Sequence, residues 1–214
     1  MNNNYICTYK NRMKCCLAIA VMICLTQVAI SQPKFPLPDQ SAMDMAYYPP
    51  NYPILKIQDK ITEPLVVRIL YSRPQRNGRG VFGELVEYDK VWRVGANEAT
   101  EIEFFKDVYF GGKPVPKGRY SLYAIPSPEK WVMIINTETD TWGSFKYDSK
   151  KDVVRLEMPV QKMAETAELL SFVFDKISGG FSLSIAWENT SVTIPLSVNT
   201  KTPIRTPVKV IKKK

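Results

Sequence analysis

Histidine is absent from the 214-residue sequence, and cysteine is confined to its first 31 residues. The four cysteines are Cys7, Cys15, Cys16 and Cys24, so residues 32–214 contain neither a thiol nor an imidazole. This part of the chain therefore excludes a Ser-His-Asp triad, a cysteine nucleophile, a Cys/His zinc site and disulfide bonds. A bound metal would need oxygen ligands. We predict no metal site and no cofactor, and a domain that is held together by burial alone.

The cysteines lie in a segment with the order of a secretory signal peptide. Basic residues in "MNNNYICTYKNRMK" are followed by the apolar run "CCLAIAVMICLTQVAI" and by a small residue before Gln32. The apolar run is shorter than the roughly 20 residues that a membrane span needs. We predict a signal peptide over residues 1–31, export to the periplasm or the extracellular space, and no transmembrane span after cleavage. The alternative is lipidation at Cys24, which the bulky Ile23 before it disfavours.

Positive charge is concentrated at the two ends of the chain. Of the formal net charge of +8, residues 1–31 contribute three positive charges and "KTPIRTPVKVIKKK" at residues 201–214 contributes six, which leaves about −1 for residues 32–200. A nearly neutral domain lacks a basic face for nucleic acid, and we predict no nucleic-acid partner. Residues 200–214 are predicted to be a disordered basic tail, with contact to an anionic envelope surface as the alternative.

Between the ends, a proline-rich stretch precedes a region with a period of two. Residues 32–53 contain six prolines and predict a linker without a core of its own. Apolar and polar residues alternate in "FSLSIAWEN" and "SVTIPLSV", as in half-buried antiparallel strands. Further strands are predicted in "PLVVRILYS", "TEIEFFKDVYF", "GRYSLYAIP", "WVMIIN", "VVRLEMPV" and "ELLSFVF". Residues 54–199 thus predict an all-β domain of about eight or more strands, an antiparallel β-sandwich or jelly roll. Because Pro195 cannot donate to a ladder, we place the last strand at a sheet edge.

Several motifs follow one another in a recognisable order. They are "YSRP", "GRGVFGELV", "KVWRVGANEAT", "GKPVPKGRYSLYAIP", "WVMIIN" and "WGSFKYD". The stretch from Leu65 to Leu196 that contains them resembles an uncharacterised family of secreted bacterial proteins, domain of unknown function number 2911. The resemblance implies the fold and an exported location. It implies no chemistry, since the family has no established activity.

The motif "KVWRVGANEAT" and the arginine of "YSRP" form the first candidate binding constellation. Arg73 and Arg93 offer forks of donors, Asn97 both donates and accepts, and Glu98 is the obvious anionic partner. These residues would line a polar pocket with Trp92 as a stacking surface. In the structural alternative, Trp92 is a core residue, and Glu98 forms an ion pair with one arginine that holds the loop against the sandwich. We hypothesise that Glu98 pairs with one arginine, while the other arginine and Asn97 face a cleft.

The motif "TWGSFKYD" is the second candidate, because its aromatic and polar side chains suit the apolar faces and hydroxyl edges of sugars. Its candidate ligand-binding residues are Trp142 and Tyr147, and the alternative is that they belong to the core. Tyr71 in "YSRP" and Arg79 in "GRGVFGELV" complete the predicted set.

These observations predict an exported binding or interaction module whose ligand is carbohydrate or another polar envelope component. One alternative is a carboxylate-dependent glycan hydrolase, with Glu98 as one acid and a second from the following set: Glu101, Asp107, Asp148 and Asp152. The other alternative is a structural envelope protein without a ligand. Two carboxyl groups roughly 5 to 10 Å apart in one cleft would favour hydrolysis. An exposed aromatic beside an arginine and Asn97 would favour binding.

Overall fold

The computed structural model describes residues 34–199, which form ten β-strands, one short α-helix and one 3-10 turn. The strands are β1 (Met43–Tyr48), β2 (Val67–Ser72), β3 (Glu101–Phe104), β4 (Val108–Phe110), β5 (Lys113–Val115), β6 (Gly118–Pro126), β7 (Lys130–Asn136), β8 (Asp152–Pro159), β9 (Gln161–Ile177) and β10 (Gly180–Val198). The helix α1 covers Tyr52–Ile57, and the 3-10 turn covers Ser149–Lys151.

The chain divides into two compact units, Met1–Pro38 and Asp39–Lys214. Of the first unit the structure describes residues 34–38, which have no regular secondary structure. All the elements named above belong to the second unit. Within residues 34–199, no helix has the length and apolar character to cross a membrane.

The strands form two antiparallel sheets. One has six strands in the order β1-β2-β3-β6-β7-β8, and the other has four in the order β5-β4-β10-β9. Buried side chains of both sheets belong to one hydrophobic cluster, for example Ile102 and Met133 from the larger sheet and Leu183 and Ile194 from the smaller. The predicted antiparallel β-sandwich is confirmed, because two sheets that share one core are its defining arrangement.

Strand β10 is a single bulged strand where the sequence predicted two. Before the bulge Leu183 and Ile185 are buried, whereas beyond it Val192 and Ile194 are buried. The pairing with β9 shifts register on either side of Glu188, which has a φ of 57°. Across these shifts β9 contains the surplus residues, while the left-handed Glu188 turns β10 so that its buried positions change from odd to even residue numbers.

The predicted strand "TEIEFFKDVYF" forms two strands in different sheets. Residues 105–107 carry the chain across the sandwich, and both flanking residues, Phe104 and Val108, are buried in the shared core. The sequence therefore predicted correctly that this segment forms β-structure, but it did not predict that the segment divides into two strands.

The edge position predicted for the last strand is wrong, because β10 lies between β4 and β9. The pairing with β9 ends at Ser191, opposite Gln161, and the pairing with β4 begins at Leu196. Pro195 falls between these two ladders. Its missing donor is thus tolerated inside the sheet.

The predicted linker over residues 32–53 also differs from the structure. The second unit begins at Asp39, and β1 pairs with β2 along its whole length. Tyr48 is buried and stacks on Phe181 with the ring centroids 4.1 Å apart. The prolines flank this strand and do not interrupt it. The predicted signal peptide and basic tail lie outside the described residues.

Candidate functional site

The loop that joins Trp92 to β3 is tied to the sandwich at both ends. Trp92 exchanges two backbone hydrogen bonds with Ala124 of β6, of 2.7 and 2.9 Å. The amide of Thr100 donates to the carbonyl of Arg93 at 3.1 Å and closes the loop on itself. The ends of the loop therefore cannot move independently of the large sheet.

The interior of this loop is held by two side chains. The hydroxyl of Thr100 donates to the carbonyl of Val94 at 2.7 Å, and the indole of Trp92 donates to the carbonyl of Gly95 at 3.2 Å. Val94 and Asn97 have left-handed φ values of 51° and 58°. A left-handed φ persists only where the surrounding structure fixes it, and for a β-branched residue such as Val94 it is a true outlier. The loop is therefore preformed.

The turn over residues 141–147 packs against this loop. The amide of Ala99 donates to the carbonyl of Thr141, and the amide of Gly143 donates to the carbonyl of Asn97, both at 2.9 Å. The loop at residues 92–100 and this turn form one structural unit, which we call the loop–turn unit.

Two aromatic side chains of the turn face solvent. Trp142 is 61% exposed and Phe145 is 83% exposed. Gly143, at a φ of 66°, lies under the second ring, since a Cβ there would be 2.8 Å from Phe145 Cε2. The same Cβ would be 3.7 Å from Nη1 of Arg93. The exposed aromatic surface and the arginine thus border the same glycine.

Arg93 has no hydrogen-bond acceptor and no ion-pair partner for its guanidinium within residues 34–199. Its Nε is completely buried. Burial lowers the pKa of Arg93, because removal from water disfavours the charged form. Buried donors in folded proteins are nearly always satisfied, so a completely buried Nε–H without an acceptor is unusual.

Arg93 lines a pocket of about 320 Å³ between the loop and residues 74–79. Arg79 lines the same pocket, and no carboxylate does so among the described residues. The guanidinium of Arg79 is fixed by backbone carbonyls, since Nε donates to Arg76 at 2.8 Å and Nη2 donates to Gln75 at 2.9 Å. The pocket therefore presents two positive charges without a compensating negative one.

The tryptophans that border this pocket belong to the core. Trp92 is 8% exposed and stacks on Trp187 with the ring centroids 6.2 Å apart. Phe82 and Trp131 complete the aromatic cluster. The indole of Trp187 donates to the carbonyl of Glu168 at 3.3 Å. Trp92 thus supports the loop from below and is not the open stacking surface that the sequence suggested.

Arg73 and Tyr71 lie in a different pocket, of about 440 Å³. Arg73 Nη1 pairs with Asp44 Oδ2 at 3.0 Å, Nε donates to the carbonyl of Leu170 at 3.2 Å, and Nη2 donates to Ser171 Oγ at 3.1 Å. The donors of Arg73 are thus directed into the fold, where they join β1 to β9. Tyr71 is buried, and this burial raises the pKa of its phenol.

The hypothesised pair between Glu98 and an arginine is wrong. Glu98 is exposed and forms no ion pair in the part of the chain that the structure describes. It lines a third pocket, of about 260 Å³, together with Glu101 and Asp140. Arg119 pairs with both of these carboxylates. The partner of Arg73 is Asp44 instead, which lies in the stretch predicted to be a linker.

Tyr147 is engaged within the fold. Its hydroxyl donates to Asp152 Oδ2 at 2.6 Å and accepts from Arg155 Nη1 at 2.9 Å, and its ring lies 5.3 Å from that of Tyr123. Burial and the neighbouring carboxylate of Asp152 raise the pKa of Tyr147 to about 12.

The predicted site residues are therefore distributed over several surfaces. Arg79, Trp92 and Arg93 line one pocket, with Asn97 and Trp142 in the adjoining loop–turn unit. Gln75 lies at this location without having been predicted as a site residue, whereas Phe145 belongs to the second candidate motif. The long-range contact between the loop and the turn brings Phe145 there, and no local sequence pattern marks such a contact.

Fold and site together define an all-β domain with a preformed surface loop and a cationic pocket. In residues 34–199 no group of three or more acidic side chains could hold a metal ion. Residues 53–196 match the family model described as a protein of unknown function, DUF2911. The chain belongs to this family, as its motifs indicated. No curated protein and no solved structure matches the chain significantly.

Proposed function

We propose that the protein is an exported binding module for carbohydrate, and that the loop–turn unit is its binding surface. The observation that carries the proposal is that Trp142 and Phe145 of one turn are both exposed, and that Phe145 Cε2 and the unpartnered Arg93 both lie close to Gly143. Exposed apolar side chains that are grouped on a loop of a rigid scaffold mark a binding surface more often than scattered ones do.

The chemistry of this surface suits a sugar ring. The apolar face of a saccharide packs on an exposed aromatic ring, and its hydroxyl groups need fixed donors and acceptors at the rim. Arg93 supplies free donors, and the side chain of Asn97 supplies both a donor and an acceptor. Because the loop is held by its own hydrogen bonds, little conformational entropy is lost on binding.

A glycan array followed by calorimetry of the strongest ligands tests the proposal. We expect Trp142→Ala to weaken binding about tenfold or more, since exposed aromatic anchors dominate such interfaces. Phe105→Ala is the matched control, because Phe105 is also exposed but lies in the crossing between β3 and β4. Equal loss in both variants would contradict the site, and binding of no glycan would favour a structural role.

Glycan hydrolysis remains a second candidate because Glu98, Glu101 and Asp140 line one pocket. The ion pairs of Arg119 engage two of these carboxylates, Glu101 and Asp140, which leaves them less free to act on a substrate. We expect no release of reducing ends from any bound glycan. Hydrolysis that is lost in Glu98→Gln and in Glu101→Gln would instead support the enzyme.

A further inference from the structure

The pocket beside the loop–turn unit carries a positive charge that a neutral sugar would leave uncompensated. It is bordered by Arg93 and Arg79, and none of the described carboxylates lines it. Arg93 has no internal partner, and the fixed donors of Arg79 leave its positive charge without an ion pair in residues 34–199. A positive charge taken partly out of water is stabilised by an anion placed against it.

We infer that the ligand carries an oxyanion and that this group binds in the 320 Å³ pocket against Arg93. The inference rests on the proposed function for the saccharide part, and it specifies an acidic saccharide. The carboxylate of a uronic acid and the sulfate of a sulfated sugar share the required chemistry, since each presents two or more oxygens to a guanidinium fork.

The geometry connects the two parts of the ligand. Arg93 lines the pocket, and its Nη1 lies 3.7 Å from the position of a Cβ on Gly143. That glycine lies between Trp142 and Ser144, in the turn with the exposed rings. One sugar unit can therefore rest on the aromatic surface while its acidic group reaches the guanidinium. Ser41 and Gln75 also line the pocket and provide further polar side chains.

Arg73, in the larger pocket, already has acceptors within the fold, and this difference is why we assign the anion to Arg93. Arg73 has Asp44 and two further acceptors, so an incoming anion would compete with an existing ion pair. The larger, 440 Å³ pocket that contains Arg73 therefore offers an anion no unpaired charge from this residue.

Calorimetry with matched ligands tests the inference. The probes are an oligogalacturonate, its methyl ester, and a sulfated galacto-oligosaccharide beside its unsulfated form. We expect the acidic member of at least one pair to bind about tenfold more tightly than the neutral member. Arg93→Gln should remove this preference, whereas Trp142→Ala should weaken both members equally. The pair that shows the preference identifies carboxylate or sulfate as the natural group.

A matched pair of arginine variants separates local recognition from general charge. Arg79 lines the pocket, whereas Arg76 is its neighbour in sequence and does not. Arg79→Gln should lower the preference for the acidic ligand, and Arg76→Gln should leave it nearly unchanged. Equal effects of the two variants would mean that net charge alone attracts the ligand, and would overturn the inference.

Thermal unfolding in sulfate against chloride at equal ionic strength separates this inference from the proposed function. Sulfate should raise the melting temperature of the wild type by more than that of Arg93→Gln, because its exclusion from the protein surface stabilises both folded proteins, whereas an ion bound at Arg93 adds stability to the wild type alone. If this holds and no saccharide binds, the anion site stands and the carbohydrate proposal fails. If neutral and acidic saccharides bind equally well, or if the acidic preference survives in Arg93→Gln, the anion site is refuted while the module stands.

Discussion

The two arginines of the first candidate constellation have opposite environments in the fold. Arg73 joins two strands through Asp44 and Ser171, whereas Arg93 has a buried Nε without an acceptor. Removing one partner of an ion pair leaves the other uncompensated, but removing an unpartnered charge leaves nothing behind. The two residues should therefore differ in their contribution to stability.

We expect Arg73→Met to lower the free energy of unfolding by about 1 to 2 kcal/mol, because the pair with Asp44 is partly exposed. Arg93→Met should leave it unchanged or raise it by about 1 kcal/mol, since a buried donor without an acceptor is lost. Urea denaturation of both variants measures the difference. A larger loss in Arg93→Met than in Arg73→Met would show that Arg93 serves the fold.

Asn97 shows how backbone conformation changes a prediction made from side-chain chemistry alone. Its φ of 58° means that alanine should cost about 1 kcal/mol of stability, whereas the sequence by itself suggests a neutral change. Asn97→Gly should be nearly neutral, because glycine adopts this conformation without steric strain. Thermal unfolding of both variants separates the effects. Equal stability of the two would indicate that the left-handed conformation carries no strain.

Tyr147 should give the protein a measurable dependence on alkaline pH. Its pKa rises from 10.0 to about 12, because burial and Asp152 disfavour the phenolate. The folded state thus keeps a proton that the unfolded state releases, so this stabilisation is present below pH 10.0 and is lost as pH rises through about 12. Tyr147→Phe should remove this part of the decline.

The control for this prediction lies in the other buried phenols. Burial also raises the pKa values of Tyr48, Tyr71 and Tyr120, which give wild type and variant a common slope. Unfolding free energies measured against pH for the two proteins isolate the contribution of Tyr147. Curves of equal steepness above pH 10.0 would contradict its raised pKa.

At the scale of elements, the loop–turn unit depends on Gly143. A Cβ there would meet Phe145 Cε2 at 2.8 Å, and the φ of 66° disfavours any other residue. We expect Gly143→Ala to displace the exposed ring and to weaken glycan binding by more than its effect on stability explains. Gly179 is the control, because it has a similar φ of 79° and nothing within 4 Å of a Cβ.

Comparison of the two glycine variants separates strain from displacement. Both should lose about 1 kcal/mol of stability from the left-handed backbone. Only Gly143→Ala should lose ligand affinity in calorimetry. If Gly179→Ala weakens binding as much, the effect belongs to the stability of the whole domain.

The strands were predictable from the sequence to the extent that one face of each is buried. Alternation over β10 identified its core face because Leu183 and Ile194 are fully buried. The bulge at Glu188, which merges two predicted strands into one, was not predictable, since a change of parity also fits two separate strands. Strand β1 was hidden because prolines surround a segment in which only Tyr48 is buried.

At the scale of the molecule, the fold class followed from local periodicity, whereas the site did not. Arg93 and Trp142 were both named from their motifs, yet their proximity depends on hydrogen bonds between loops far apart in sequence. The partner of Arg73 could not be predicted either, because Asp44 lies on a strand that the sequence did not indicate. An ion pair between residues this far apart in the sequence leaves no pattern in the sequence around either residue.

Stability of the whole domain should be independent of redox state and of zinc. Residues 32–214 contain no cysteine and no histidine, so neither a disulfide nor a Cys/His metal site contributes. We expect the melting temperature of a chain of residues 32–214 to be the same with a reductant, with a zinc chelator and with neither. A decrease of several degrees with either reagent would contradict a domain held by its hydrophobic core.

In the proposed complex, one ligand contacts the guanidinium of Arg93 and the exposed ring of Trp142 together. The most direct measurement is an NMR titration with oligogalacturonate that follows the Nε–H signal of Arg93 and the indole N–H signal of Trp142. We predict that both signals shift along the same saturation curve and that the methyl ester shifts the Arg93 signal much less than the acid does. A titration in which Trp142 shifts and Arg93 does not, or in which neither shifts, would contradict the claim.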